Sequence, residues 1–313
     1  MDTSALVCYF NGEFVPLAEA RVGVMTHALN YGTGCFEGIR AYWNPAHGQL
    51  YGFRVREHYE RLQRSARTLM ITLPHGVAEL CELTAELLRR NRFETDVYIR
   101  PLAYHASEVV GVRLHDLQSG FVIYAVPFGD YIPTTGIRAM TSSWRRIDDN
   151  AAPPRAKITG AYVNSAFAKT EAALNGFDEA IMLTHDGHVS EGSAENIFVV
   201  IDGELITPPP SENILVGITR NTVITLARDL LGLTVRERPI DRSELYGADE
   251  VLLCGTGAQI VPVREIDHRP VGTGEVGPIA AALARHYMDV VRGENPRYRS
   301  WLMPVYEPAL SNR

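Results

Sequence analysis

The sequence predicts a mixed α/β protein of two domains, and three observations carry that reading. The chain has 313 residues, enough to bury two separate cores. Strand-like apolar runs recur between stretches whose apolar residues stand three and four apart, the spacing of helices. A segment punctuated by proline and glycine, PFGDYIPTTG from Pro127 to Gly136, divides the chain. The expected domains are residues 1–126 and 137–313, with a linker over 127–136.

Composition narrows the function. Apolar residues make up 46% and charged residues 21%, as in a soluble globular protein. A net charge of -7 without a basic run argues against a nucleic-acid surface, which needs clustered cations. No apolar stretch reaches the length of a membrane span, and the N-terminus (MDTSALVCYFNGEF) lacks a basic leader pattern. Cys8, Cys35, Cys81 and Cys254 are far apart and lack metal-type spacing, so reduced thiols in a cytoplasmic enzyme without a metal are expected.

The elements follow in chain order. Val7 to Phe10 and Phe14 to Pro16 flank Asn11-Gly12, a hairpin signal. HALNYGTGCFEGIRAYW, from His27 to Trp43, sets Tyr31, Phe36, Glu37 and Arg40 around three glycines, as a buried turn or a pocket wall; Cys35 reads as small apolar filler. Arg56 to Met70 has Tyr59, Leu62, Ala66 and Leu69 at helical spacing. Arg61 falls beside that stripe, and the pattern alone leaves it solvated. A helix over Val77 to Asn91 leads into the strand DVYIRPLAY, where Tyr98 and Arg100 share one face. An arginine on so apolar a strand needs a partner such as a carboxylate. Gly120 to Val126 is a further strand.

In the second half, Glu179 to Pro209 reads as strand, turn, strand, strand, with hairpin turns at Asp186-Gly187 and Asp202-Gly203. Glu191 and Glu195, with Asn196, lie between those turns. A helix starts near Ile218, with Thr219 at its first turn and Gly232 as its stop. First-turn amides make an anion site. The strand EVLLCGTGAQI ends in Gly255-Thr256-Gly257, a second place where backbone amides can reach an anion. Gly272, Gly274 and Gly277 match a dinucleotide fingerprint but lack its strand-helix-strand frame, so a surface turn is expected.

One feature stands apart chemically. Of 30 basic residues only Lys157 and Lys169 are lysine, both within PPRAKITGAYVNSAFAKTEA. Arginine stays protonated, whereas a lysine amine can lose its proton and attack a carbonyl. Lys169 sits within a helical pattern over Tyr162 to Asn175, where a solvated face is the default. Lys157 lies on a short irregular connection, where reactive groups concentrate, and is the better candidate.

Together these pieces resemble the fold type IV pyridoxal-phosphate enzymes, and among them the branched-chain amino-acid aminotransferases. EGSAENIF, LIT and LVGITR, from Glu191 to Arg220, carry the most specific match; NYGTGCFEGIR, REHYERL, YIRP, the Ala-Lys-to-Tyr segment and CGTGAQIVPV support it. The resemblance implies a smaller N-terminal α/β domain and a larger C-terminal one with pyridoxal 5'-phosphate between them. It further implies transfer of the amino group from L-leucine, L-isoleucine or L-valine to 2-oxoglutarate in the cytoplasm, by a homodimer or multiple of dimers.

Residue roles follow from the same resemblance. Lys157 would hold the cofactor as a Schiff base and then move the substrate proton. Glu191 would face the pyridine nitrogen, and Tyr162 the ring's 3-oxygen. Arg61, the Ile218 and Thr219 amides and Thr256 would grip the phosphate, while Leu215 packs on the ring. Tyr31, Phe36, Arg40, Tyr98, Arg100, Phe128 and Tyr131 would line the substrate side, with Thr256 and Gly257 near its carboxylate. Phe128 stands where many relatives have tryptophan, and VGVRLHDLQSG departs from the bacterial pattern; both bear on substrate range. The competing expectations are a D-amino-acid or (R)-amine transaminase, an aminodeoxychorismate lyase, or a non-catalytic binder of the cofactor. The joint presence of Lys157, Glu191 and Tyr162 weighs against the last.

Overall fold

The computed structural model describes residues 5–129 and 135–307. Two compact units form: Met1–Gly129 with Ala156–Gly160 and Asp289–Arg313, and Asp130–Arg155 with Ala161–Met288. The first division falls inside the expected linker, but the units are not contiguous in sequence. Because 156–160 and 289–313 rejoin the first unit, the two are of nearly equal size rather than small and large.

The first unit is built on an antiparallel sheet. It contains β1 (Val7–Phe10), β2 (Glu13–Pro16), the short helix α1 (His27–Tyr31), β3 (Gly34–Phe36), β4 (Ile39–Asn44) and β5 (Gln49–Phe53). Helices α2 (Val55–Thr68) and α3 (Val77–Asn91) precede β6 (Val97–His105) and β7 (Ser119–Pro127). Strand order is β5-β4-β6-β7-β1-β2, with β3 also on β6 and the late strand Leu302–Pro304 at the β5 edge. The α2 stripe expected from its spacing is the buried one: Tyr59, Leu62, Ala66 and Leu69 are all inside.

The segment 156–160 joins this unit through backbone bonds. Phe36 N–H donates to Lys157 O at 3.0 Å, Thr159 N–H to Gly34 O at 2.8 Å, and Gly160 N–H to Gly32 O at 3.0 Å. Gly32 has φ +67° and a Cβ there would strike the Gly160 backbone, so that position requires glycine, while a Cβ at Gly160 would press on Gly32 O at 3.0 Å.

The second unit holds β8 (Ile137–Thr141), α4 (Tyr162–Leu174), β9 (Glu179–Leu183), β10 (Val189–Gly192), β11 (Asn196–Ile201) and β12 (Glu204–Thr207). Then come α5 (Ile218–Leu231), β13 (Val235–Glu237), α6 (Glu244–Gly247), β14 (Glu250–Gly255), β15 (Gln259–Ile266), β16 (Arg269–Pro270) and α7 (Pro278–Val291). The sheet runs β10-β9-β8-β15-β14-β11-β12-β13. Alternation along β9 explains its two faces. Ile181 and Leu183 enter a core with Ile197, Val199, Leu253 and Val263, while Ala180 and Met182 meet Ala168 and Ala172 of α4.

The glycine-rich stretch at 272–277 is a turn, and α7 has its own anion. Glu250 accepts from Ile279 N–H at 3.0 Å and Ala280 N–H at 2.8 Å. That carboxylate fills the helix N-terminus a dinucleotide phosphate would need.

Candidate active site

Lys157 is half-buried in the first unit, on the irregular segment expected of it. Its backbone is held at both ends: N–H donates to Ser65 Oγ at 3.0 Å, and O accepts from Phe36 N–H at 3.0 Å. Its Nζ stands 5.0 Å from the centroid of the Phe36 ring. From there a chain of contacts runs along the sheet. The Arg100 guanidinium lies 4.4 Å from the centroid of the same Phe36 ring, and Arg100 Nη2 donates to Tyr98 Oη at 2.9 Å. Tyr98 in turn meets Phe128, ring centroids 5.3 Å apart. Gly38 makes this possible, since a Cβ there would collide with the Tyr98 ring and hydroxyl. An amine, an aromatic wall and a guanidinium therefore lie in sequence along one surface.

Arg40, expected to line the substrate side, is placed differently. It is buried, and its Nη2 donates to Phe128 O at 2.9 Å and Gly129 O at 3.3 Å, with Asp96 Oδ2 at 3.7 Å. Its guanidinium also lies 5.1 Å from the Tyr42 ring centroid and 5.2 Å from that of Phe128. A buried guanidinium needs such partners. Arg40 thus holds the chain just after β7 at Phe128 and Gly129. Tyr31 stands apart from the Lys157 chain: its hydroxyl accepts from Gly111 N–H at 3.1 Å, and its ring lies 4.7 Å from that of His27. Tyr131 lies outside the described residues.

Arg61 is buried rather than solvated. Glu37, fully enclosed, takes its Nε at 2.7 Å and its Nη2 at 2.7 Å, while His58 Nδ1 lies 2.7 Å from Glu37 Oε2. Burial pushes the Glu37 carboxyl up, but the charge and hydrogen bonds of Arg61 and the hydrogen bond of His58 outweigh it and hold it at about 2. Burial lowers His58, so it serves as a neutral Nδ1–H donor to the carboxylate. Cys35, behind Phe36, is pushed up to about 12 by burial and then by the Glu37 charge, as befits packing filler.

The second unit carries the other expected group. Glu191 Oε2 accepts from Asn196 Nδ2 at 3.0 Å and from Leu215 N–H at 3.1 Å, and Asn196 Nδ2 also donates to Leu215 O at 2.8 Å. Arg146 Nε lies 2.9 Å from Glu191 Oε1, an ion pair without hydrogen-bond alignment. Tyr162 opens α4 and is half-buried. Ile218 and Thr219 open α5, whose N-cap is Gly217, a residue that brings no side chain over the first-turn amides. Thr256 and Gly257 form the half-buried turn between β14 and β15.

Three contributors escaped the sequence reading, His58, Ser65 and Arg146, while Glu37 is placed there in a buried turn or pocket wall without its partner Arg61. For two of them a signal existed. His58, Arg61 and Ser65 follow helical spacing, so they share one face of α2. Arg146 has no local mark, because its partner is 45 positions away in sequence (191 less 146). Lys169 ion-pairs with Glu179 Oε2 at 2.6 Å. Among the described residues no group of three or more His, Cys, Asp or Glu is placed to hold a metal.

Each unit by itself carries groups that suit a part of a phosphorylated pyridine aldehyde: the first has an amine for a carbonyl and a guanidinium for an anion, and the second has a multiply anchored carboxylate for a ring nitrogen and a helix start for an anion. Comparison with known proteins agrees. The amino-transferase class IV family model matches residues 34–266. A probable branched-chain-amino-acid aminotransferase of Aquifex aeolicus is 53% identical over 300 residues, covering 96% of both chains. The crystal structure of the Thermoproteus uzoniensis branched-chain aminotransferase with norvaline superposes with a TM-score of 0.93 at 46% identity, covering 96% of this chain and 99% of the other. The Thermobaculum terrenum branched-chain amino acid aminotransferase in its PLP form has a TM-score of 0.93 at 40% identity, with 98% and 100% covered.

Proposed function

The chain belongs to the amino-transferase class IV family, and on that premise we propose that it is a pyridoxal-phosphate transaminase moving the amino group from L-branched-chain amino acids to 2-oxoglutarate. The observation that carries this reading is the chain of contacts from Lys157 through Phe36 to Arg100 and Tyr98. It sets an apolar wall beside the reactive amine and a cation beyond that wall. An apolar side chain is served by the wall, and a second carboxylate by the cation.

When bound, the cofactor supplies a carbonyl that accepts the amino group and a protonated ring that withdraws electrons. Lys157 Nζ would hold the cofactor covalently at its carbonyl carbon and, once freed, would carry the proton from substrate Cα to that carbon, and in the opposite direction in the reverse transfer. The clamp on the Lys157 backbone keeps the amine's root fixed while its side chain moves. Glu191 would keep the proton on the ring nitrogen; Leu215 N–H, Asn196 and Arg146 orient its carboxylate. Tyr162 Oη would hydrogen-bond the ring's 3-oxygen and Leu215 would pack on the ring, while Arg61, the Ile218 and Thr219 amides and Thr256 would hold the phosphate. Phe36, Tyr98 and Phe128 would shape the side-chain pocket, Arg40 would support it through Phe128, and Thr256 and Gly257 would meet the substrate carboxylate.

We further infer a homodimer in the cytoplasm. Val24, Met25, Leu29, Val110 and Val112 are exposed, and the segments bearing them are tied together by the Thr26–Glu108 bridge and the bond from Gly111 to Tyr31. So apolar a patch suits an interface between copies. The four cysteines are free thiols, which suits a reducing compartment. No helix among the described residues is long and apolar enough to cross a membrane.

The deciding experiment is a panel of amino donors with 2-oxoglutarate, including both enantiomers of leucine and of 1-phenylethylamine. Turnover with L-leucine, L-isoleucine and L-valine, and not with D-leucine or (R)-1-phenylethylamine, supports the reading. Preferred turnover of either of the latter two overturns it.

A further inference from the structure

Glu37 and His58 have no part in the scheme above, yet both are enclosed beside its phosphate cation. Burying a carboxylate costs several kcal/mol unless its oxygens are satisfied. Here they are: Arg61 supplies Nε to Oε1 and Nη2 to Oε2, and His58 Nδ1 supplies a third donor to Oε2. This side-on pairing fixes the plane of the guanidinium, because both bonds must be kept in line. Glu37 is itself fixed by its N–H, which donates to Pro101 O on β6 at 2.9 Å. His58, Arg61 and Ser65 lie on one face of α2, and Ser65 Oγ holds the Lys157 N–H at 3.0 Å. One helix thus carries the cation and anchors the reactive lysine's backbone.

Resting on the assignment of Arg61 to the phosphate, we propose that Glu37, oriented by His58, is a positioning residue that fixes the Arg61 guanidinium for the cofactor's phosphate. The neutral state of His58 fits this role, since it orients Glu37 without competing for its charge. An arginine side chain otherwise loses considerable rotamer freedom on engaging an anion, and a fixed fork has lost it already.

The test is equilibrium binding of pyridoxal 5'-phosphate and of pyridoxal, which lacks the phosphate, to the full chain freed of cofactor. The readout is the ratio of their two affinities, which general loss of structure does not shift selectively. Arg61→Ala defines the ratio without the cation. Glu37→Gln is expected to lower the ratio about tenfold, the scale of one charge-assisted hydrogen bond, with pyridoxal affinity unchanged. Because Glu37→Gln leaves a buried charge and can fail to fold, two His58 variants carry the same question. His58→Asn keeps a donor near the Nδ1 position and is expected to retain the ratio. His58→Leu fills similar space without a donor and is expected to lower it about threefold, a fraction of that same bond. If His58→Leu keeps the ratio and His58→Asn loses it, the cluster is packing only and the proposal falls. A native ratio in Glu37→Gln overturns it as well, with Arg61 standing if Arg61→Ala lowers the ratio. A native ratio in Arg61→Ala removes both the proposal and its premise.

Discussion

Arg146 Nε lies 2.9 Å from Glu191 Oε1, while the opposite carboxylate oxygen takes the Leu215 amide at 3.1 Å. One residue fixes the charge and the other fixes the orientation of the group assigned to the ring nitrogen. Glu191→Gln is therefore expected to keep bound cofactor and lose most turnover, because a neutral amide no longer holds the ring proton. Steady-state rates and the absorbance of bound cofactor measure both; a near-native rate would make Glu191 structural.

Lys169 is the second lysine, and its bonds assign it to structure. Its Nζ meets Glu179 Oε2 at 2.6 Å and Asp178 O at 2.5 Å, and Glu179 is enclosed. Lys169→Ala should lower stability by about 1–2 kcal/mol, a buried-partner loss moderated by the half-exposed lysine. Activity per folded molecule should stay near native. Urea unfolding alongside active-site titration separates these effects, and lost activity with unchanged stability would contradict the assignment.

Glu195 predicts a pH dependence of stability. Burial, and next the Glu179 charge, push its carboxyl from 4.5 up to about 8. The folded chain keeps that proton up to about pH 8, whereas the unfolded chain releases it near pH 4.5. More protons are bound in the folded state between those values, so stability falls as pH rises through the window. Glu195→Gln, neutral at every pH, should flatten this slope in thermal melts at pH 5, 6.5 and 8. An unchanged slope would place the titration elsewhere.

Arg100 should serve one substrate more than the other. Its guanidinium is held by Tyr98 Oη and the Phe36 ring, partners it keeps when an apolar side chain is bound. Arg100→Ala is expected to weaken the half-reaction with glutamate or 2-oxoglutarate at least about tenfold while sparing that with leucine. Stopped-flow traces of each half-reaction decide; equal losses would give Arg100 a general shaping role.

Local pattern revealed most of the elements and long-range pairing did not. Helix α3 spans Val77–Asn91 as its spacing indicates, and α5 starts at Ile218 and stops before Gly232. Lys157 stands out in the sequence because only two lysines exist, and Glu191 because it opens a family motif. The burial of Arg61 does not, because its partner Glu37 sits 24 positions earlier in sequence. The partners of Arg40 are hidden for a related reason: its carbonyl acceptors at Phe128 and Gly129 lie 88 and 89 positions away in sequence. The return of 156–160 to the first unit rests on backbone bonds to Gly32, Gly34 and Phe36, which no side-chain pattern encodes.

The central claim is that Lys157 is the amine that carries the cofactor. Borohydride reduction of the purified yellow holoenzyme, followed by proteolysis and peptide mapping, reads this directly. A reduced pyridoxyl group on the peptide containing Lys157, absent from Lys157→Ala and present in Lys169→Ala, is the result expected. The label on Lys169, or on no lysine, would contradict the account.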